Sequence, residues 1–135
     1  MAAVESRATL DHVREATGVA ARAAWSKGGA DTVILAVGEV LAITDAFVIT
    51  SGTNSRMVRT IAEEVEKKVK EASSRSPRAI EGLDDARWVL MDYGDFVVHV
   101  FIDEARDFYQ FDRLWADAGR WDWDPEQSGA LASGE

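Results

Sequence analysis

Trp88-Val-Leu-Met-Asp-Tyr-Gly-Asp-Phe-Val-Val-His-Val-Phe101 decides the fold. Two runs rich in β-branched and aromatic residues flank a glycine, the pattern of a β-hairpin. A two-residue turn at Tyr93-Gly94 sets Asp92 opposite Asp95 and Trp88 opposite His99. Side chains alternate across a strand. One face then carries Trp88, Leu90, Val97, His99 and Phe101, and the other Val89, Met91, Phe96, Val98 and Val100. Both are mostly apolar, so both need cover.

Upstream, Asp31–Val37 and Ala46–Thr50 are short apolar runs that predict buried strands. Between the second of them and Arg56, Ser51-Gly-Thr-Asn-Ser55 reads as a turn that caps a helix. That helix is marked by Val58, Ile61, Ala62, Val65, Val69 and Ala72, with Glu63/Lys67, Glu64/Lys68 and Glu66/Lys70 as i,i+4 pairs on its solvated side. An earlier helix runs from a Thr9 cap to about Trp25, burying Leu10, Val13, Thr17, Ala20, Ala21 and Ala24. Arg78–Glu81 offers a short strand. A last helix from about Asp103 to Ala118 has Phe108, Phe111, Trp115 and Ala118 as its inner stripe.

This order predicts an α/β fold: a single domain with one mixed β-sheet flanked by helices, in which the second strand, second helix and third strand form a crossover. The domain is expected over residues 9–118. Residues 119–135 read as an acidic tail bearing Trp121 and Trp123, partly disordered from about Pro125.

Composition narrows the function. The 135 residues are 47% hydrophobic and 29% charged, enough for roughly two thirds burial of the unfolded surface. With no cysteine, thiol catalysis and Cys-based zinc sites are excluded. No apolar run reaches membrane-spanning length, and residues 1–10 lack a signal-like core, so a cytoplasmic protein with no membrane partner is expected. Net charge is −9, and residues 103–135 carry −6 of it, with nine acids against three bases. Such a field opposes direct nucleic-acid binding and favours a basic partner.

Candidate catalytic groups do not assemble. The Ser51–Ser55 turn could hold an anion at a helix N-terminus, but it lacks a phosphate-loop lysine. Asp92 and Asp95 flank a turn rather than sharing a strand face, and the adjacent Asp84 and Asp85 would point to opposite faces, so no two-metal site is expected. His99 has no nucleophile beside it. Metal and cofactor sites are therefore expected to be absent. Trp88 reads equally as core or as an interface anchor.

In combination, several segments resemble the RsfS/Iojap family of ribosomal silencing factors. They are Leu41–Arg56 (Leu-Ala-Ile-Thr-Asp-Ala-Phe-Val-Ile-Thr-Ser-Gly-Thr-Asn-Ser-Arg), Ile61–Val65, Glu81-Gly82, the hairpin itself and Arg106–Trp115 (Arg-Asp-Phe-Tyr-Gln-Phe-Asp-Arg-Leu-Trp). Phe111-Asp112 stands where the family has Leu-Glu, and the tail with Trp121 and Trp123 has no counterpart in the family core. The resemblance implies a sheet like that of a nucleotidyltransferase but without catalysis. It also implies docking on a large-subunit ribosomal protein of the intersubunit face, the one numbered fourteen (uL-fourteen), which prevents joining with the small subunit and represses translation in starvation.

The expected partner-binding residues are Trp88, Leu90, Asp92, Tyr93, Gly94, Asp95, His99 and Phe101 of the hairpin, with Arg106 and Tyr109 at the head of the last helix, which are expected to join that helix to the rest of the protein or to its partner. The competing reading is a diverged nucleotidyltransferase or nucleotide-binding protein; a third is a homodimer paired through the apolar hairpin face, which could coexist with ribosome docking if dimer and ribosome compete for one surface.

Overall fold

The computed structural model describes residues 2–126, with side chains from residue 9 onward. Helix α1 (Ala2–Ser26) leads into strands β1 (Ala30–Ala36) and β2 (Ala46–Gly52), then α2 (Ser55–Ser73). Strands β3 (Ala79–Glu81), β4 (Trp88–Asp92) and β5 (Phe96–Ile102) follow, then α3 (Asp103–Tyr109), α4 (Phe111–Leu114) and β6 (Gly119–Trp121). The strands form one sheet in the order β3-β4-β5-β2-β1-β6. Only β2 and β5 pair in parallel; the other neighbours are antiparallel. The expected mixed sheet with flanking helices is therefore present. β3 runs parallel to β2 with two strands between them, so the crossover through α2 spans β5 and β4.

Helices α1 and α2 cover one face. Val13, Ala20 and Ala24 of α1 meet Val58, Ile61, Val65 and Val69 of α2 over Val48, Val89, Met91, Phe96, Val98 and Val100. Small alanines on α1 let the two helices approach each other and the sheet closely, and each valine buried here contributes about 1.5–3 kcal/mol relative to exposure. Asn54, not a residue of the Ser pair around it, caps α2: its Oδ1 accepts from the Met57 N–H at 2.8 Å.

Several local expectations need correction. Thr9 is not a cap, because α1 begins at Ala2; Leu10, expected inside, is 38% exposed. Ala72 is exposed rather than buried. The i,i+4 pairs expected along α2 are not within ion-pair distance; among the described residues this helix carries Lys68–Glu71 at 3.6 Å.

The hairpin turn lies one residue later than expected. Tyr93 N–H donates to the Phe96 carbonyl at 2.9 Å, so the two turn residues are Gly94 and Asp95. Gly94 takes φ +93°, a conformation open to glycine, and a glycine at the first central position is the type II′ pattern that suits strand twist. Trp88 consequently pairs with Phe101 and Leu90 with His99, a register shift of two. An even shift keeps every side chain on its face, so the two faces read from sequence stand.

The last helix is broken. Gln110 adopts a left-handed φ of 51° between α3 and α4, and this turns the periodicity: Phe108 is 76% exposed while Ala105, Arg106 and Phe111 are buried. Beyond Ala118 the sheet continues, with β6 pairing to β1 through Gly119, Arg120 and Trp121. The expected boundary at 118 thus cuts through a sheet edge. Disorder was expected from about Pro125, and most of that stretch, residues 127–135, lies outside the described residues.

Candidate functional site

The second sheet face is built from Phe47 and Ile49 of β2, Leu90 and Trp88 of β4, and Val97, His99 and Phe101 of β5. Among the described residues, the short α3–α4 arm crosses it, with Leu41 of the β1–β2 connection packed alongside. Phe111 packs on Phe47, His99 and Phe101 with ring centroids 5.9, 4.8 and 5.2 Å apart. Trp115 meets Phe47 edge-on at 5.2 Å. Away from this arm, Leu90 and Val97 remain half-buried.

Trp88 occupies the rim of the cluster. It is half-buried, lies 4.8 Å from Phe101 and 5.3 Å from Tyr109, and its Nε1 donates to His99 Nδ1 at 3.1 Å. His99 is 4% exposed, and burial pushes its pKa down to about 3. Its ring is therefore neutral, with Nδ1 as acceptor and the proton on Nε2, which has no hydrogen-bond partner among the described residues. A neutral histidine walled by Phe47, Phe101 and Phe111 is a packing element with one satisfied acceptor, poorly suited to proton transfer.

The other expected site residues separate. Phe101 is fully buried beneath Trp88. Tyr109 is 48% exposed beside Trp88 and remains on the accessible rim. Tyr93 points to the opposite, helix-covered face, where it stacks on Phe96 at 4.5 Å; burial, with a smaller push from Glu66, raises its hydroxyl to about 12. Asp92 accepts from Gly94 N–H at 2.8 Å and pairs with Arg78 at 3.1 Å. Asp95 pairs with Arg75 at 2.6 Å, and the same guanidinium donates to the Tyr93 carbonyl. Both carboxylates thus stabilise the turn, each with its own arginine.

Arg106 is an internal tie. Only 7% exposed, it donates to the carbonyls of Ala30 and Asp31 and to Ser51 Oγ, and forks onto Asp112 at 2.9 and 3.1 Å. It fixes the arm to the β1 entry and keeps little exposed surface. The periodicity signalled an amphipathic helix but not that an arginine would occupy its buried side.

Sequence reasoning missed several exposed apolar residues: Val40 (62%) and Ile43 (84%) in the β1–β2 connection, and Leu114 (70%) on α4. Leu41 and Trp115 pack on the same aromatic cluster, which puts the connection and the arm around it. Val40, Leu41 and Ile43 within a Gly38–Asp45 turn segment were the available signal.

The Ser51–Ser55 turn is occupied by its own contacts. Asn54 caps α2, Ser51 Oγ donates to the Ala30 carbonyl and accepts from Arg106, and Ser55 Oγ donates to the Asp85 carbonyl at 3.0 Å. Among the described residues no group of three or more His, Asp or Glu side chains could hold a metal ion, and no helix is long and apolar enough to cross a membrane.

The family model described as "Ribosomal silencing factor during starvation" matches residues 10–133. The chain belongs to the RsfS family. It is 37% identical over 100 residues to the ribosomal silencing factor RsfS of Bacillus subtilis (strain 168), covering 74% of this chain and 84% of that one. The mouse protein named mitochondrial assembly of ribosomal large subunit protein 1 is 33% identical over 87 residues, 63% of this chain and 38% of that one. A crystal structure of a Chromobacterium violaceum protein superposes with a TM-score of 0.72 at 31% identity, covering 76% of this chain and 84% of that one. RsfS membership implies ribosome-associated translation regulation, and the relatives' names describe a regulatory role.

Proposed function

We propose that this RsfS-family chain binds the large ribosomal subunit through the ribosomal protein numbered fourteen on the intersubunit face. There it blocks joining with the small subunit and represses translation without catalysis, as a cytoplasmic protein. Its sheet is on this reading a non-catalytic relative of the nucleotidyltransferase arrangement. The observation that carries the docking claim is the incompletely covered second sheet face. Leu90, Val97 and Trp88 are half-buried, and Tyr109, Phe108 and Leu114 stand exposed on the arm beside them. A partner that covers this rim removes apolar surface from water. The acidic field of α3, α4 and the following segment, with Asp103, Glu104, Asp107, Asp112 and Asp117, favours a basic ribosomal protein over naked RNA.

Binding of the purified ribosomal protein to wild type and to Leu90→Asp, followed by interferometry, tests this reading. The variant should bind at least tenfold more weakly, a loss of about 1.4 kcal/mol. Equal affinity with an unchanged melt removes the face from the interface.

A further inference from the structure

The two edges of the sheet are protected differently. β3, at one edge, is three residues long and mostly exposed, and it carries Glu81. A short edge that carries a charge resists pairing with another chain. β1, at the other side, is seven residues long, and its centre reads Val33-Ile34-Leu35-Ala36. Ile34 and Leu35 are 1% and 3% exposed on opposite faces of the sheet, each in its own core cluster. A strand of that length, apolar on both faces, is a ready template for intermolecular pairing when its outer edge is open.

That edge is filled by the chain's own residues 119–123. Gly119, Arg120 and Trp121 pair antiparallel with Ala36, Leu35 and Ile34. Three residues of strand are few, and two tryptophans add the hold that the ladder lacks. Trp121 packs on the main core with the Arg14 guanidinium of α1 4.9 Å from its ring centre, and Trp123 Nε1 donates to the Thr32 carbonyl at 3.2 Å. Asp122, Asp124 and Glu126, interleaved with the tryptophans and following them, add charge at the outer side, where like-charged copies repel.

We infer that residues 119–123 are a guard strand: they occupy the outer edge of β1 and deny it to a second copy of this chain, which would otherwise pair antiparallel there, β1 against β1. The inference does not depend on the ribosomal reading, because β1 and the hairpin lie on opposite sides of β2.

The test uses the full chain carrying Trp121→Ala and Trp123→Ala together. Sedimentation velocity over a wide concentration range should show a reversible self-association at least tenfold stronger than any seen for wild type. A synthetic peptide of wild-type residues 119–125, added in trans, should reverse it by refilling the edge, and the same peptide with both tryptophans replaced should not. Wild-type sedimentation in a variant whose far-ultraviolet dichroism is native overturns the proposal. So does association that the wild-type peptide leaves unchanged, since the contact then lies elsewhere. If the double variant does not fold, Trp123→Phe, which removes only the indole bond to Thr32, is read in the same way, with peptide-reversible association expected and its absence decisive against the guard role.

Discussion

Trp88 and His99 share one hydrogen bond diagonally across the hairpin: the indole N–H donates to Nδ1 at 3.1 Å, while Trp88 sits opposite Phe101 and His99 opposite Leu90. The bond requires a neutral imidazole. Protonation turns both ring nitrogens into donors, sets one against the indole N–H and leaves a charge among phenylalanines.

This relationship predicts acid sensitivity. The folded-state pKa of His99 is lowered to about 3 by burial. The unfolded chain, with a histidine pKa of about 6.5, therefore binds the proton more readily below that value. The stabilisation is complete above about pH 6.5 and is lost as pH falls from there toward about 3. Between pH 6.5 and 5, above most carboxylate titration, this group should remove roughly 1.5 kcal/mol of unfolding free energy. Urea melts at the two pH values should show that loss in wild type and little of it in His99→Gln, which keeps an acceptor near Trp88 but does not titrate. Parallel pH profiles would contradict it.

Arg106 should behave as a structural residue. Arg106→Ala removes the partner of Asp112 and the guanidinium donors to the Ala30 and Asp31 carbonyls, of which Ala30 keeps only the Ser51 hydroxyl, and should cost about 3 kcal/mol or more. Arg106→Lys should recover less than half, because an ammonium cannot reproduce the fork onto Asp112 and reach the Ala30 and Asp31 carbonyls together. A thermal melt of either variant matching wild type contradicts the tie.

Gly94→Ala tests the turn assignment. At φ +93° a Cβ is strained, so a loss of about 1 kcal/mol or more is expected. Asp95→Ala, at the second turn position, should act mainly by removing the Arg75 pair, whose two side chains are 30% and 29% exposed, and cost less than about 1 kcal/mol. Denaturant midpoints rank the two, and the reverse order would move the turn back to Tyr93-Gly94.

The paired faces were legible because alternation survives an error in register. Placing the turn one residue early moved every cross-strand partner by two and left Trp88, Leu90 and His99 together. The helix that packs on the sheet was legible for a similar reason: Val58, Ile61, Val65 and Val69 recur at helical spacing and are all buried. The last helix misled because periodicity assumes an unbroken axis. Gln110, an ordinary residue in a left-handed conformation, reset the phase, so Phe108 faces outward and Arg106 inward. Nothing local announces that; the bonds that hold it reach back to Ala30, Asp31 and Ser51. β6 was illegible for the same reason, since three residues become a strand only through β1.

Trp88 and Leu90 should separate stability from docking. Trp88 touches Phe101, Tyr109 and Phe111 and donates to His99, so Trp88→Ala should cost about 3 kcal/mol, toward the lower end for a core tryptophan because it is half-buried. Leu90→Ala, at a half-buried position, should cost roughly 1 kcal/mol in the melt. A stable Trp88→Ala protein would return that residue to a purely interfacial role.

The central claim is that the chain prevents subunit joining by occupying the large subunit. Purified large and small subunits are mixed with increasing protein under joining conditions and separated on a sucrose gradient. The account predicts that joined ribosomes decline with dose while the protein migrates with the large subunit, and that Leu90→Asp shifts the effective dose upward at least tenfold. Undiminished joining at saturating folded protein, or loss of joining without protein on the large subunit, contradicts it.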